Sequence, residues 1–354
     1  MRRLLLVVAL VLFALPVCGQ SNPPPPYTAS RVILPQVVLH EGVTADLSLT
    51  AYSNHHEPCL QGTLLAVHGM LHTAAAWEPL AAALLQARPR ILQPCRILAL
   101  DLPGHGSSSL PSGALFGELT IDDYVSAVLG TLDRLHQLGI YPDTLVGHSL
   151  GGAILVLTQQ RLKAADTSLR HAHHVHDVVL LGSAVLNPIA QPQWDSGMAL
   201  APIFAFGQES AELGRHVAVP VPFWQAYMFM NLATPPAMPP TAPTVAEIVD
   251  RGYFGPKGSP VALESRAMLE GLVPRPSVDA LLFGWHEGTR LTMVAYEQDR
   301  VVRADKSLDF YKHLTGDADA ERFVVIGGPN AVHDTHIADP ALLLAGMGHL
   351  RWVF

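Results

Sequence analysis

A chain of 354 residues, 49% of them hydrophobic, is long enough to bury a large core, and its formal net charge of -8 comes without long runs of one sign. With no basic face to neutralise a phosphate backbone, nucleic acid is excluded as an expected partner.

The chain opens on Arg2 and Arg3, a twelve-residue apolar run at 4–15, then Pro16 and small residues. That is the make-up of a secretory signal peptide over 1–19, predicting a secreted or periplasmic protein cut before Gln20. The run falls short of the roughly 20 apolar residues of a membrane span, so no stable span is expected once the leader is removed. A signal anchor and a lipid on Cys18 are the alternatives; against the lipid, Val17 stands where such sites carry Gly, Ala or Ser. Cleavage would leave two cysteines, Cys59 and Cys95, each just before an apolar strand candidate. A disulfide between them and two buried thiols are both open readings.

Four consecutive prolines, Pro23 to Pro26, predict an extended tether over 20–30. From Arg31 the pattern predicts a hairpin at 32–40 and 45–51, a strand at 63–67 and a helix at 74–87. A strand at 96–100 and a helix at 121–138 follow, the helix opened by Thr120 and Asp123 at capping-box spacing. Strand 144–147, helix 150–162 and strand 177–181 complete a first core segment, 31–184. Between 185 and 285 the alternation stops in a stretch rich in Pro, Met and aromatics such as Phe223, Trp224 and Tyr227. It is too long for a loop and predicts a cap over the functional edge of the sheet, the alternative being a second domain unrelated to the site. Strand and helix resume over 286–354, at 291–296, 306–314, 323–326 and 340–347. Strands alternating with helices predict a mostly parallel sheet covered on both faces.

Gly147-His148-Ser149-Leu150-Gly151 falls where strand 144–147 meets the following helix, the setting a nucleophile elbow requires. Small residues flank the turn so that Ser149 stands exposed at a helix N-terminus, where developing negative charge is favoured. The alternative is an ordinary helix N-cap. A serine hydroxyl needs a base and an oxyanion hole. His68-Gly69-Met70-Leu71 follows strand 63–67, so the expected amide donors are Met70, with Leu71 next in line, and Leu150, the residue after the serine. His68 is expected to brace that loop.

Together with Asp101-Leu102-Pro103-Gly104-His105-Gly106-Ser107-Ser108 and Gly152, these residues resemble the α/β-hydrolase superfamily over about 32–350, outside the cap. The resemblance implies an eight-stranded, mostly parallel sheet with helices on both faces and an inserted, mainly helical cap. It also implies the order nucleophile, acid, histidine, which places the acid at Asp299, just past strand 291–296, with Glu297 as rival. The base is His333, seven residues before Pro340 and matching the family's register, with His336 as rival and otherwise a loop residue at the mouth of the site. Asp101 and His105 are architectural in that motif. The acid's role is to hold the histidine in one tautomer and to stabilise its imidazolium form.

His171, His173, His174 and His176 sit at a helix-to-strand connection without carboxylate or cysteine partners at a ligand spacing, and are expected to be a solvated loop. No phosphate or dinucleotide motif occurs in the needed context, and neither cofactor nor metal is expected. Ser149 argues against dehalogenases and epoxide hydrolases of the superfamily, which attack with aspartate. The expected reaction is hydrolysis of a small ester with a hydrophobic acyl or aryl group through an acyl-enzyme. Amide, peptide or carbon–carbon cleavage and perhydrolysis remain open, and a binding protein without catalysis is opposed by a competent residue at every expected position.

Overall fold

The computed structural model describes residues 27–54, 62–70, 72–86, 96–109, 119–183, 285, 288–316 and 322–348. The expected leader, Cys18, most of the tether, Cys59, Cys95 and nearly all of the cap lie outside the described residues.

Eight strands form one sheet: β1 (Tyr27–His40), β2 (Val43–Asn54), β3 (Thr63–Val67), β4 (Arg96–Asp101), β5 (Pro142–His148), β6 (Asp177–Leu181), β7 (Arg290–Tyr296) and β8 (Phe323–Ile326). Their order is β1-β2-β4-β3-β5-β6-β7-β8. The pairs β1–β2 and β2–β4 are antiparallel and every later pair is parallel. The six strands from β3 onward therefore end at one edge, where the functional loops emerge.

The alternation of a strand's side chains makes two cores from one apolar run. Leu65, Val67, Leu98, Leu100, Leu145, Val178, Leu180 and Met293 share one cluster with α2 (Ile121–Gln137) and α3 (Leu150–Ala164). Leu64, Ala66, Ile97, Ala99, Val146, Val179, Val294 and Ile326 pack on the opposite face against α1 (Glu78–Gln86). Helix α4 (Leu169–His173) precedes β6, and α5 (Ala304–Thr315), α6 (Thr335–Ala338) and α7 (Pro340–Gly346) complete the described helices. Thr120 and Asp123 form the expected capping box on α2. No helix among the described residues is long and apolar enough to cross a membrane.

Three elements differ from expectation. Strand β1 begins at Tyr27, inside the predicted tether, because Tyr27 packs edge-on against Tyr52 with ring centres 5.9 Å apart. It tolerates Pro35 because it is an edge strand broken by a bulge between Leu34 and Val37, where Gln36 takes φ 54°. The predicted helix 74–87 starts as a 3₁₀ turn, Ala74–Trp77, and turns α-helical at Glu78, with Pro79 near its start, where the missing N–H costs nothing. The histidine-rich connection contains a helix, capped by the Ser168 hydroxyl. His173 is buried, with Nδ1 3.8 Å from the Asp133 carboxylate, while His171, His174 and His176 are exposed.

Candidate active site

Ser149 sits between β5 and α3 with φ 49° and ψ -116°, a conformation L residues rarely adopt. Its neighbours allow that turn. A Cβ on Gly147 would come within 2.7 Å of the backbone of Gly151 and Gly152, and one on Gly151 would overlap the Val67 carbonyl. The Ser149 N–H donates to the Leu181 carbonyl at 3.0 Å, tying the elbow to β6. Ser149 occupies the N-cap position of α3 without a side-chain capping bond, so its hydroxyl is not engaged by the helix. The residue is half-buried.

The loop after β3 lies against it. A Cβ on Gly69 would approach the Ser149 Cβ to 3.1 Å, so the glycine lets 68–70 pass directly over the serine. Met70 is half-buried on the core, and Leu150 is fully buried as the first residue of α3. A first-turn N–H has no acceptor within its own helix, which leaves the Leu150 amide able to meet an oxyanion. His68 braces this loop. Its Nε2 accepts from the Leu102 N–H at 3.1 Å, so Nδ1 carries the proton and donates to the Gly69 carbonyl at 2.8 Å. Asp101 accepts from the amides of Ala74 at 2.7 Å and Ser107 at 3.0 Å, which makes it a scaffold for two loops.

Asp299 follows β7. One carboxylate oxygen accepts from the amides of Val301 and Val302, both at 2.7 Å, and the other stands 2.8 Å from His333 Nδ1. Both residues are buried. A proton held on Nδ1 by Asp299 leaves Nε2 as the basic nitrogen. Burial opposes charging of His333, but the Asp299 charge and hydrogen bond, with Asp334 adding, raise its pKa above the ordinary value. Gly182, at φ 48°, lets the end of β6 come close: a Cβ there would sit 3.3 Å from Asp299 Oδ2 and 3.4 Å from His333 Nδ1. The segment bonded to Ser149 through Leu181 thus runs against the Asp299–His333 pair. Glu297, the rival acid, is exposed, and its carboxylate accepts from the Gly328 N–H at 3.0 Å.

His336 is not a loop residue at the mouth. It lies on α6, fully buried between Trp77 and His148, with ring centres 5.0 and 4.2 Å away, because the chain turns inward after His333. Around it lie His72, to which sequence reading gave no role, His148, quoted only within the elbow motif, and Asp334, set aside as too close in sequence to His333 to orient its ring; all three are buried. His148 Nε2 donates to the His333 carbonyl at 3.0 Å and lies 3.3 Å from the Asp334 carboxyl. Burial and neighbouring histidines lower the pKa of His72 and His148, while burial raises that of Asp334 to about 7. The signal for this cluster was the concentration of histidines at the ends of the motif-bearing strands.

An eight-stranded, mostly parallel sheet with a glycine-flanked serine above its carboxyl edge defines a hydrolase scaffold of the α/β class. The chain belongs to the alpha/beta hydrolase family, whose sequence profile matches residues 64–350. It is 36% identical over 95 residues to mouse (Mus musculus) protein phosphatase methylesterase 1, covering 27% of this chain and 22% of that protein. It is 28% identical over 193 residues to 2-hydroxymuconate semialdehyde hydrolase of Pseudomonas sp. (strain CF600), covering 50% of this chain and 62% of that one. The matched stretches thus span less than two thirds of either relative. Among solved structures, the Cif epoxide hydrolase of Acinetobacter nosocomialis superposes with a TM-score of 0.62 at 13% identity, over 92% of this chain and 89% of that chain. At that identity the likeness concerns the fold alone.

Proposed function

We propose that the protein is an exported serine hydrolase cleaving carboxylic esters with a hydrophobic acyl or aryl group. Ser149 attacks the ester carbonyl, His333 takes the proton and returns it to the leaving alcohol, and Asp299 holds the imidazole in the productive tautomer. The amides of Met70 and Leu150 receive the oxyanion. An acyl-enzyme forms, and water attacks it by the same steps in reverse. The observation that carries this reading is an uncapped serine hydroxyl at a strained elbow, tied to the end of β6, which in turn runs against a histidine bonded to a buried carboxylate. The ester preference draws support from the methylesterase relative, and the leader motivates export. The semialdehyde hydrolase relative keeps carbon–carbon cleavage as the second reading.

Ser149→Ala tests the reaction. With p-nitrophenyl butyrate, kcat is expected to fall by about 10⁴ to 10⁶ while the thermal transition is kept. The wild type, and not the variant, is expected to take a covalent fluorophosphonate label. Retained turnover in the variant overturns the assignment of Ser149. Turnover of a vinylogous diketone with none of esters replaces ester cleavage by carbon–carbon cleavage.

A further inference from the structure

Behind Ser149 lies a set of side chains that the proposed reaction does not use. His72 follows β3, His148 ends β5, and Asp334 and His336 follow β8, with exposures of 1%, 1%, 0% and 0%. His72, His148 and His336 each offer a nitrogen, and the three nitrogens lie within 4.8 Å of one another. Their ring centres are 5.3, 4.2 and 6.1 Å apart. Three imidazoles sharing one tetrahedral ion would have ring centres about 5 Å apart, given nitrogen–metal bonds of about 2.0–2.1 Å. The observed spacing brackets that value.

His336 adds an independent observation. Among the described residues neither of its nitrogens has a hydrogen-bond partner, although the side chain is fully buried and a neutral imidazole always carries one N–H. The His148 Nδ1 likewise has no partner among the described residues, its Nε2 being used on the His333 carbonyl. Buried imidazole nitrogens left this way are rare in the absence of a ligand. Among the described residues the Asp334 carboxyl accepts no hydrogen bond, and it stands 3.3 Å from His148 Nε2 and 3.7 Å from His72 Nε2. Three imidazoles select a borderline transition metal, since hard cations such as calcium and magnesium require oxygen ligands.

We propose that His72, His148 and His336 hold one divalent transition-metal ion, zinc by preference, which ties together three segments behind the serine. His72 lies two residues past Met70, His148 directly precedes Ser149, and His336 lies three residues past His333. The ion therefore fixes the loop of the oxyanion donor, the nucleophile strand and the segment of the base. It touches no substrate and takes no part in bond-making. The binding site stands independently of the ester reading; only its effect on turnover rests on that reading.

The test uses the full chain carrying Ser149→Ala, refolded with zinc sulfate or in metal-free buffer, then freed of loose metal by gel filtration. About one zinc per chain and a higher Tm than the metal-free sample are expected. Cobalt in place of zinc should show the intense visible absorption of a tetrahedral ion with nitrogen ligands. His336→Gln should lose the metal, while a variant replacing the exposed His171, His174 and His176 by Gln should keep it. If His336→Gln fails to fold, the cobalt spectrum and stoichiometry of the parent decide. Stoichiometry well below one, or metal lost with the exposed histidines and kept without His336, overturns the site. One zinc per chain here, with a wild-type protein that hydrolyses no ester, would sink the proposed function and leave the metal site standing.

Discussion

The two oxygens of the Asp299 carboxylate have separate duties, and Asp299→Asn separates them. The oxygen facing the amides of Val301 and Val302 can be kept by the asparagine carbonyl, so the turn after β7 survives. The other atom becomes an N–H donor, and His333 Nδ1 must then accept, which puts the imidazole proton on Nε2 and removes the base facing the serine side. A fall of about 10⁴ in kcat is expected with a Tm close to wild type, checked by ester kinetics and thermal unfolding of one sample. A collapse of Tm would make Asp299 a structural residue. Asp299 and His333 were legible as positions after the last strands because the chain order of a serine, an acid and a histidine restricts the search to two short loops. His336 was not. Its burial against Trp77 and His148 depends on how α6 packs, and nothing in the spacing of 333 and 336 discloses which ring meets Asp299 and which meets Trp77.

At the scale of elements, each parallel strand was legible from a short apolar run, since strands buried on both faces need no alternation. Strand β1 and helix α4 were read less well for a common reason: both depend on long-range partners, Tyr52 for Tyr27 and Asp133 with His136 for His173. Where strand meets helix, the glycines carry the fit. Gly151→Ala places a methyl on the Val67 carbonyl, and neither backbone can yield without moving β3 or α3. A loss of about 3 kcal/mol is expected. Gly42→Ala, in the β1–β2 turn, meets nothing within 4 Å among the described residues and bears only the strain of φ 76°, about 1 kcal/mol. Urea midpoints of the two variants test the contrast, and equal losses would mean that α3 does not press on β3 as the geometry requires.

Across the whole molecule, one joint between the loops at the sheet's carboxyl edge is a group that must stay uncharged, His68. It joins the loop after β3 to the loop after β4 by donating from Nδ1 and accepting on Nε2. A second proton would set Nε2–H against the Leu102 N–H. Burial first, and His105 beside it second, hold its pKa well below 6.5. The folded protein therefore refuses a proton that the unfolded chain takes up below about pH 6.5. The stability His68 contributes is complete above that pH and is lost as pH falls, at up to about 1.4 kcal/mol per unit. Asp101, raised by burial, has the opposite sign, so the measurement must be a difference between proteins sharing it. His68→Gln can still accept from Leu102 but cannot titrate. Between pH 7 and pH 5 its unfolding free energy should fall by less than that of the wild type. Parallel curves from urea titrations at the two pH values would show that the bridge between the loops survives protonation, and that the edge carrying Ser149 does not depend on a neutral His68.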